Sequence, residues 1–238
     1  MSMRLVLDAR TVNDHFPGIG RYVVGLARAL VPFLAQGEEM ILLRDPTRSS
    51  TLDLMGLAGE RVRVVDVPIS VFSPRQQWTL PRLLSRLRAD VYHSPYYLMP
   101  YRPGVPSVVT IHDLIPLRYP EYFTPLQRLT YGVVVRLAAC TAKRVLADSQ
   151  SAAQDLQRFL GLSEAHIRVV PAAADPKFHV CTAAEVKAIR DKYDLPEEYV
   201  LHLSSSKPHK NLVRLVDAWA LLEKRGETFG HSLALAGS

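Results

Sequence analysis

Short apolar segments alternate with amphipathic segments along most of this chain, and this alternation restricts the folds that it can adopt. The segments that we predict as strands are 4–7, 40–43, 62–67, 90–93, 107–111, 144–147 and 167–170. Helical spacing of apolar residues predicts helices at 19–31, 75–88, 125–142 and 150–161. Strands that are apolar throughout and separated by helices are typical of a parallel sheet covered on both faces. The sequence therefore predicts an α/β fold with a doubly wound parallel sheet.

The pattern changes after Pro171, where residues 172–178 predict an irregular connector. The elements predicted beyond it are a helix capped by Thr182, a strand at 199–203, a helix at 212–224 and a strand at 232–236. The last three form a new β-α-β unit, about a third of an ordinary domain. We therefore predict a first domain at 1–178 and the start of a second doubly wound domain at 179–238.

The charge balance favours anionic partners, since 29 Lys and Arg residues against 23 Asp and Glu give a net charge of +6. Part of this charge lies in residues 75–88, where leucines at helical spacing form an apolar stripe and most arginines lie off it. We interpret the segment as a half-buried helix with a solvated basic face, and peripheral contact of Arg75–Arg88 with an anionic membrane is the alternative. No basic run interleaves with aromatic residues as in nucleic-acid-binding modules, so no nucleic-acid partner is predicted.

Compartment and cofactor expectations follow from what the sequence lacks. No apolar run approaches the length of about 18 residues that spans a bilayer. Two cysteines, Cys140 and Cys181, offer no disulfide framework, which favours a reducing compartment. We expect a cytoplasmic protein, with the inner face of the membrane as an alternative. No metal site is predicted, because the two thiols are isolated and no histidine pair has a third ligand at zinc-protease spacing.

The segment Gly18-Ile19-Gly20-Arg21 is interpreted as a loop that joins the first predicted strand to the first predicted helix and overlaps the start of that helix. Ligands of open parallel sheets bind beyond the carboxyl ends of the strands. Glycines allow a backbone to approach a phosphate closely, and a helix N-terminus favours the negative charge. A structural glycine turn explains the segment equally well, because the dinucleotide pattern Gly-x-Gly-x-x-Gly fails at Val23.

Three further strand exits carry polar side chains. His112 and Asp113 follow the fifth predicted strand, and His93 ends the strand before it, so both histidines are expected to face one crevice. An imidazole can orient or polarise a hydroxyl near neutral pH, and an adjacent carboxylate can hold it. The structural alternative is a histidine bonded to a carbonyl, with Asp113 capping the next turn. Ser149 follows the sixth strand and suits a helix N-cap.

A candidate anion site follows the strand predicted at 199–203. Its residues are Ser205, Lys207, His209 and Lys210, which lead into the next predicted helix. Hydroxyls, free backbone N–H groups and lysines at a helix N-terminus suit a diphosphate. The simpler alternative is a solvated, basic helix start. The chain contains neither a Gly-x-Ser-x-Gly elbow nor a P-loop pattern, which argues against a hydrolase elbow and a P-loop nucleotidase.

Five segments, in this order, resemble the N-terminal part of GT-B glycosyltransferases of the retaining family four, also named group one. They are Gly18–Tyr22, Thr110–Leu114, Ala147–Ser151, Val170–Phe178 and Lys207–Asn211. The resemblance implies an N-terminal acceptor domain and a C-terminal nucleotide-sugar domain. It further implies transfer of a sugar from a nucleotide-diphosphate donor, with retention and without an obligatory metal, in cell-surface polysaccharide or glycolipid synthesis.

The resemblance also implies roles for individual residues. His112 would contact the transferred sugar, and Lys210 would neutralise the diphosphate leaving group. The residues implied on the donor and phosphate side are Gly18, Ile19, Gly20, Ser205, Lys207 and His209. The residues implied on the side of a carbohydrate or lipid-linked acceptor are Arg21, His93, Asp113 and Ser149.

The chain departs from the family pattern at several positions. Ser204 stands where the family often has a glycine, and His209 where it often has an arginine. No glutamate has another eight residues later, although the family uses such a pair to hold the donor. We therefore expect these 238 residues to be inactive alone. The open alternatives are an acceptor-binding module that needs a partner chain, and another nucleotide-binding enzyme on a doubly wound fold.

Overall fold

The computed structural model describes residues 3–203 and 205–237. The chain divides into two compact units, one ending at Ala173 and the other beginning at Ala174. The domain boundary predicted at 178 lies close to this division and stays a prediction. Ser204 lies outside the described residues.

The first unit is built on a parallel sheet whose described strands lie in the order β3-β2-β1-β4-β5-β6-β7. The strands are β1 (Arg4–Asp8), β2 (Glu39–Arg44), β3 (Val62–Asp66), β4 (Val91–Ser94), β5 (Ser107–Thr110), β6 (Arg144–Ala147) and β7 (Ile167–Val169). Each strand coincides with a predicted strand to within about two residues, the usual uncertainty of element ends. The strand order reverses at β1 and β4, which are paired in parallel, and such a switch point opens a crevice at the carboxyl edge. The predicted doubly wound fold is confirmed.

Helices cover both faces of this sheet. They are α1 (Pro17–Leu30), α2 (Gln76–Arg86), α3 (Ile115–Arg118), α4 (Pro125–Thr141) and α5 (Gln150–Leu160). Neighbouring residues of one strand enter different apolar layers. Val6 and Ile41 pack in a layer that includes residues of α2, α4 and α5, whereas Leu7 and Leu42 pack in a layer with α1. Strands β1 and β2 are therefore buried on both sides, as the continuous apolar pattern predicted.

Helix α1 begins earlier than the sequence predicted. Pro17 is its first residue, and the N–H of Gly20 donates to the carbonyl of Phe16 at 2.8 Å. Gly18, Ile19 and Gly20 therefore form the first turn of a helix, and the prediction that they form a loop ahead of it is wrong. A proline favours this start because its fixed φ suits the first helical position.

Helix α2 confirms the half-buried interpretation of residues 75–88. Leu80 and Leu84 are fully buried, and Leu83 and Leu87 pack against the same core. The exposed face carries Arg75, Arg82, Arg86 and Arg88. In the described part of the chain, no helix is long and apolar enough to cross a membrane.

The second unit contains a parallel pair of strands, β8 (Tyr199–Leu203) and β9 (Ser232–Ala236), with helices α6 (Ala183–Tyr193) and α7 (Leu212–Arg225). None of its described residues is buried, and large apolar side chains such as Leu203 and Phe229 are 76% and 82% exposed. A two-stranded sheet is at best marginally stable alone. The unit therefore leaves the apolar faces of its strands and helices largely uncovered.

A buried ion pair closes the carboxyl end of β1. Arg10 donates from Nε and Nη2 to the two carboxylate oxygens of Asp8, at 2.8 and 2.7 Å. Tyr92 donates to the same carboxylate at 2.6 Å, and Arg10 also reaches Gln76 and the carbonyl of Ile69, each at 3.0 Å. Burial opposes ionisation of Asp8, but the Arg10 charge and the hydrogen bonds outweigh it and hold the pKa of Asp8 below its usual value.

We expect Asp8→Ala to lower the free energy of unfolding by about 3–5 kcal/mol, because it leaves the Arg10 charge buried and unpaired. Urea unfolding followed by circular dichroism measures this. The matched control is Asp66→Ala, which removes the exposed ion pair with Arg44 and should change stability little. Because the pKa of Asp8 is lowered by folding, its contribution should be lost as the pH falls towards its folded value. Equal effects of the two substitutions would contradict the structural role of the buried pair.

Candidate active site

His112 stands at the carboxyl end of β5 and pairs with a carboxylate from the next strand. Its Nδ1 atom lies 3.2 Å from Oδ2 of Asp148, which follows β6. A carboxylate at neutral pH only accepts, so Nδ1 carries the proton. In the described part of the chain, Nε2 of His112 is buried without a hydrogen-bond partner. An unpaired buried polar atom costs about 1–3 kcal/mol, so a ligand hydroxyl bound to Nε2 would relieve that cost.

Hydrogen bonds between side-chain hydroxyls connect the residues around His112. The ring of Tyr22, on α1, meets His112 edge to face with centroids 5.0 Å apart. The hydroxyl of Tyr22 lies 3.1 Å from Oγ1 of Thr110, and the same oxygen lies 2.8 Å from Nε2 of His93. Burial raises the pKa of Tyr22, so its hydroxyl stays protonated at neutral pH. These contacts fix the orientation of α1 relative to β4 and β5.

His93 is buried in the core beneath the carboxyl edge of the sheet, where it contacts Thr110. The residue is only 6% exposed, so the expectation that both histidines face one crevice stays a prediction for His93. Burial, assisted by the nearby His112, lowers the pKa of His93 from 6.5 to about 4. At neutral pH it is an uncharged hydrogen-bond partner of Thr110, because ionisation in the core lacks solvation.

A row of aromatic rings comes from segments at the carboxyl edge of the sheet, and one of its members, Tyr131, donates to the carbonyl of Asp113, the residue after His112, at 2.9 Å. Phe72 stacks on Phe16 with centroids 5.8 Å apart, and Phe16 lies 5.1 Å from Tyr96. Tyr96 lies 4.3 Å from Tyr97, which lies 5.0 Å from Tyr131. We name these five residues the aromatic row. Aromatic surfaces with polar edges suit ligands that have both apolar and hydroxyl-bearing faces.

The other candidates of the first unit have structural roles or lie on the surface. Asp113 accepts from the N–H of Ile115 at 3.1 Å, and Ser149 caps α5 by accepting from Ala152 at 3.1 Å. Arg21 is exposed on α1. Gly18 has open space around it, whereas a side chain at Gly20 would meet Leu52. Their assigned roles towards donor or acceptor stay predictions.

The candidate anion site lies in the second unit. Pro208–Lys210 forms a separate 3₁₀ turn, and Asn211, with a φ of 58°, separates it from α7. The prediction that the lysines lead directly into the helix is therefore wrong. Lys207 and Lys210 are exposed, while Ser205 and His209 are partly buried and engaged in contacts within the structure.

Sequence reasoning missed Asp148 and the aromatic row. Asp148 stands beside Ser149, whose N-cap signal accounts for that segment without a second role. Its position directly after a strand was the available signal, since carboxyl ends of neighbouring strands meet at one edge. The rings of the aromatic row come from four separate segments of the chain, and no spacing rule connects them.

A doubly wound sheet with polar side chains at the carboxyl ends of its strands, such as His112 and Asp148, is typical of proteins that bind ligands beyond those ends. Residues 17–178 match the family model described as glycosyltransferase family 4. The match covers more than half of the chain. The chain belongs to glycosyltransferase family 4, which confirms the resemblance of its sequence motifs to group one enzymes.

Two relatives from Escherichia coli are mannosyltransferases. The serotype-specific mannosyltransferase WbdA is 31% identical over 119 residues, which are 49% of this chain and 15% of that protein. The O-antigen chain mannosyltransferase B is 22% identical over 236 residues, 92% of this chain and 60% of that protein. The chain thus spans less than two thirds of either relative.

Solved structures share the fold. The structure of HepE from Anabaena in complex with UDP and glucose superposes with a TM-score of 0.64 at 19% identity, covering 99% of this chain and 61% of HepE. A glycosyltransferase from Rickettsia africae superposes with a TM-score of 0.55 at 15% identity, covering 100% of this chain and 69% of that protein.

The buried His93 predicts a pH dependence of stability. Its folded pKa of about 4 lies below the unfolded value of 6.5, so protons bind the unfolded chain preferentially. The stability that neutral His93 provides is complete above about pH 6.5 and is lost as the pH falls. Between about pH 7 and about pH 5 this amounts to about 2 kcal/mol of unfolding free energy.

Urea unfolding at several pH values measures this effect. His93→Gln should remove that part of the pH dependence, whereas His15→Gln, at an exposed histidine, should preserve it. An unchanged pH dependence in His93→Gln would show that His93 titrates normally in the folded chain.

Proposed function

We propose that this chain belongs to a retaining hexosyltransferase that moves a sugar from a nucleotide-diphosphate donor to a growing cell-surface polysaccharide. The observation that carries the proposal is the pair of His112 and Asp148 at the carboxyl ends of β5 and β6 in a family 4 domain. Asp148 holds the ring, and Nε2 of His112 is the atom assigned to a hydroxyl of the transferred sugar. In this assignment His112 is catalytic and Asp148 is a positioning residue.

We propose mannose as the transferred sugar. Two relatives are mannosyltransferases by name, and one of them acts on the O-antigen chain. The HepE structure, by contrast, holds UDP and glucose, which makes glucose the competing candidate. Mannose and glucose differ in the configuration of the hydroxyl at C2, and a pocket that hydrogen-bonds this hydroxyl in one orientation discriminates against the other, so the choice is measurable.

The leaving diphosphate gains negative charge in the transition state, and a fixed cation nearby lowers the barrier. We assign this role to Lys210, with Lys207 and His209 as further donors towards the phosphates. Gly18 and Ile19 offer backbone N–H groups of the first turn of α1, which lack partners within a helix. The N–H of Gly20 is bonded to Phe16, so we assign Gly20 only a close approach of the backbone to the phosphates. With cations supplied by side chains, the proposed reaction requires no divalent metal.

We assign the acceptor glycan to the aromatic row. Its rings present apolar faces at the edge of the sheet that holds His112, and Phe72 is 54% exposed. Pyranose rings have one face of C–H groups that packs on such surfaces, while their hydroxyls meet the polar rim.

Substitutions in the complete protein test this proposal. Lys210→Ala should lower turnover by about 10²- to 10³-fold, the effect of removing one charge-stabilising group. His112→Ala should lower transfer far more than nucleotide binding.

Asp148→Asn should lower kcat with little change in the donor KM. Asp148→Glu should retain part of the activity, since it keeps the carboxylate. Transfer from labelled GDP-mannose and UDP-glucose, with calorimetry of nucleotide binding, measures these effects.

A control for the histidine is His166→Ala, because His166 precedes β7 and so lies at the opposite edge of the sheet. It should leave transfer unchanged. Full activity of both His112→Ala and Lys210→Ala would overturn the site. Transfer from UDP-glucose alone would replace mannose by glucose, and transfer from neither donor would overturn the proposed reaction.

We further propose that α2 contacts the inner face of the membrane, where lipid-linked acceptors are held. Its exposed face combines arginines with Trp78, which is 61% exposed. Arginines attract anionic headgroups, and tryptophan favours the interface between headgroups and lipid tails.

Co-sedimentation with vesicles tests this contact. Binding to vesicles with anionic lipid should exceed binding to neutral vesicles and should weaken as salt is added. Arg82→Glu with Arg86→Glu should lower it by about tenfold or more, since each basic residue near the surface contributes about 1 kcal/mol. Arg28→Glu, an exposed arginine on α1, is the control. Salt-insensitive binding, or equal loss in the control, would end this proposal.

A further inference from the structure

A histidine, a thiol and a carboxylate meet at the start of α6 in the second unit. One ring nitrogen of His179, the Sγ atom of Cys181 and one carboxylate oxygen of Glu185 lie within 4.8 Å of one another. We name these three residues the 179–185 cluster. They belong to one short segment, so their meeting depends on local backbone geometry rather than on long-range packing.

The histidine of this cluster is held in a form suited to metal binding. Its Nδ1 atom lies 2.9 Å from the carbonyl oxygen of Lys177. A carbonyl only accepts, so Nδ1 carries the proton and Nε2 keeps its lone pair. Histidines that bind metals usually donate their other ring nitrogen in this way, which fixes the ring and its tautomer.

The carboxylate is held by the N-terminal cap of α6. Oε2 of Glu185 accepts from the N–H and the hydroxyl of Thr182, at 2.7 and 2.8 Å. Thr182 in turn accepts from the N–H of Glu185 at 3.3 Å, which completes a capping box. Both bonds to the carboxylate use Oε2, so the cap positions the side chain without occupying Oε1.

The thiol completes a mixed set of donor atoms. Cys181 is a free, exposed cysteine whose Sγ lies 3.7 Å from the carbonyl oxygen of His179, a weak contact. Thiolate, imidazole and carboxylate together suit zinc, and the two negative charges balance its double positive charge.

We propose that the 179–185 cluster is a zinc site with three protein ligands and a water molecule in the fourth position. Zinc binds such ligands at about 2.0–2.3 Å, so the three side chains must close by about 1 Å around the ion. All three are exposed, and their rotation meets no packed core. On binding, the thiol releases its proton to the solvent and the thiolate forms the bond to zinc.

None of the three ligands is among the residues assigned to sugar transfer. Bound zinc would join the turn at His179 to the first helical turn of α6, in a unit whose described residues are all at least partly exposed. A metal that binds only the folded segment stabilises it by mass action. The sequence signal for this site is the spacing His-x-Cys-x-x-x-Glu. Considered only as a pair, the cysteines do not reveal it, because the site combines Cys181 with His179 and Glu185.

Zinc titration of the reduced protein, by competition with a chromophoric chelator, tests the site. We expect one zinc ion per chain. Loss of a residue that only supports a metal ligand lowers metal affinity by about 10- to 100-fold. Cys181→Ser and Glu185→Gln each remove a ligand, so each should weaken zinc binding by at least this factor. Glutamine also serves at the third position of a capping box, so Glu185→Gln keeps the helix cap while it removes the charge. Circular dichroism of both variants checks that α6 persists.

The second cysteine is the matched control. Cys140 is equally free and exposed, but it lies on α4, outside the cluster. Cys140→Ser should leave zinc affinity unchanged, and zinc should protect Cys181 but not Cys140 from iodoacetamide, as mass spectrometry of the peptides shows. Zinc binding that is unaffected by both cluster variants, or equal protection of the two thiols, would overturn the proposal.

Discussion

The buried pair of Asp8 and Arg10 is the interaction on which the geometry of the first unit depends. It joins the end of β1 to Tyr92 on β4, to Gln76 on α2 and to the carbonyl of Ile69 beyond β3. A guanidinium has five donors in a fixed plane, so one arginine can hold several segments at defined angles. Because an unpaired charge in this position is so costly, the pair holds these segments in place relative to one another.

This constraint reaches the candidate site through the segment that follows β1. The segment leads from Arg10 to Phe16, a member of the aromatic row, and then into α1. Tyr22 on α1 touches His112 and bonds to Thr110, which also bonds to His93. The orientation of His112 is therefore set from two sides, by Asp148 on one and by the start of α1 on the other. A catalytic side chain must be held closely in its productive geometry, because a small displacement lowers activity. The contacts on both sides of His112 provide this preorganisation.

The sequence predicted the sheet well because burial on both faces leaves a strong, local signal in every strand. It failed where a local signal had two interpretations. Pro17 was compatible with a turn and with a helix start, and the structure shows the helix. Pro208 was compatible with the first turn of α7, but Asn211 adopts a left-handed conformation and interrupts it. The pairing of His112 with Asp148 crosses 36 positions and depends on β5 and β6 being neighbours, so the order of strands had to be known first.

The two units differ in how firmly they hold their side chains. In the first, every central strand is covered on both faces, and His112 lies in a network of fixed hydrogen bonds. In the second, none of the described residues is buried, and the lysines assigned to the diphosphate lie on a short turn. A diphosphate bound by Lys207 and Lys210 would order that turn, so part of its binding energy would be spent there. The zinc site proposed at the start of α6 would order a different segment of the same unit. Its three ligands are not among the residues assigned to the donor.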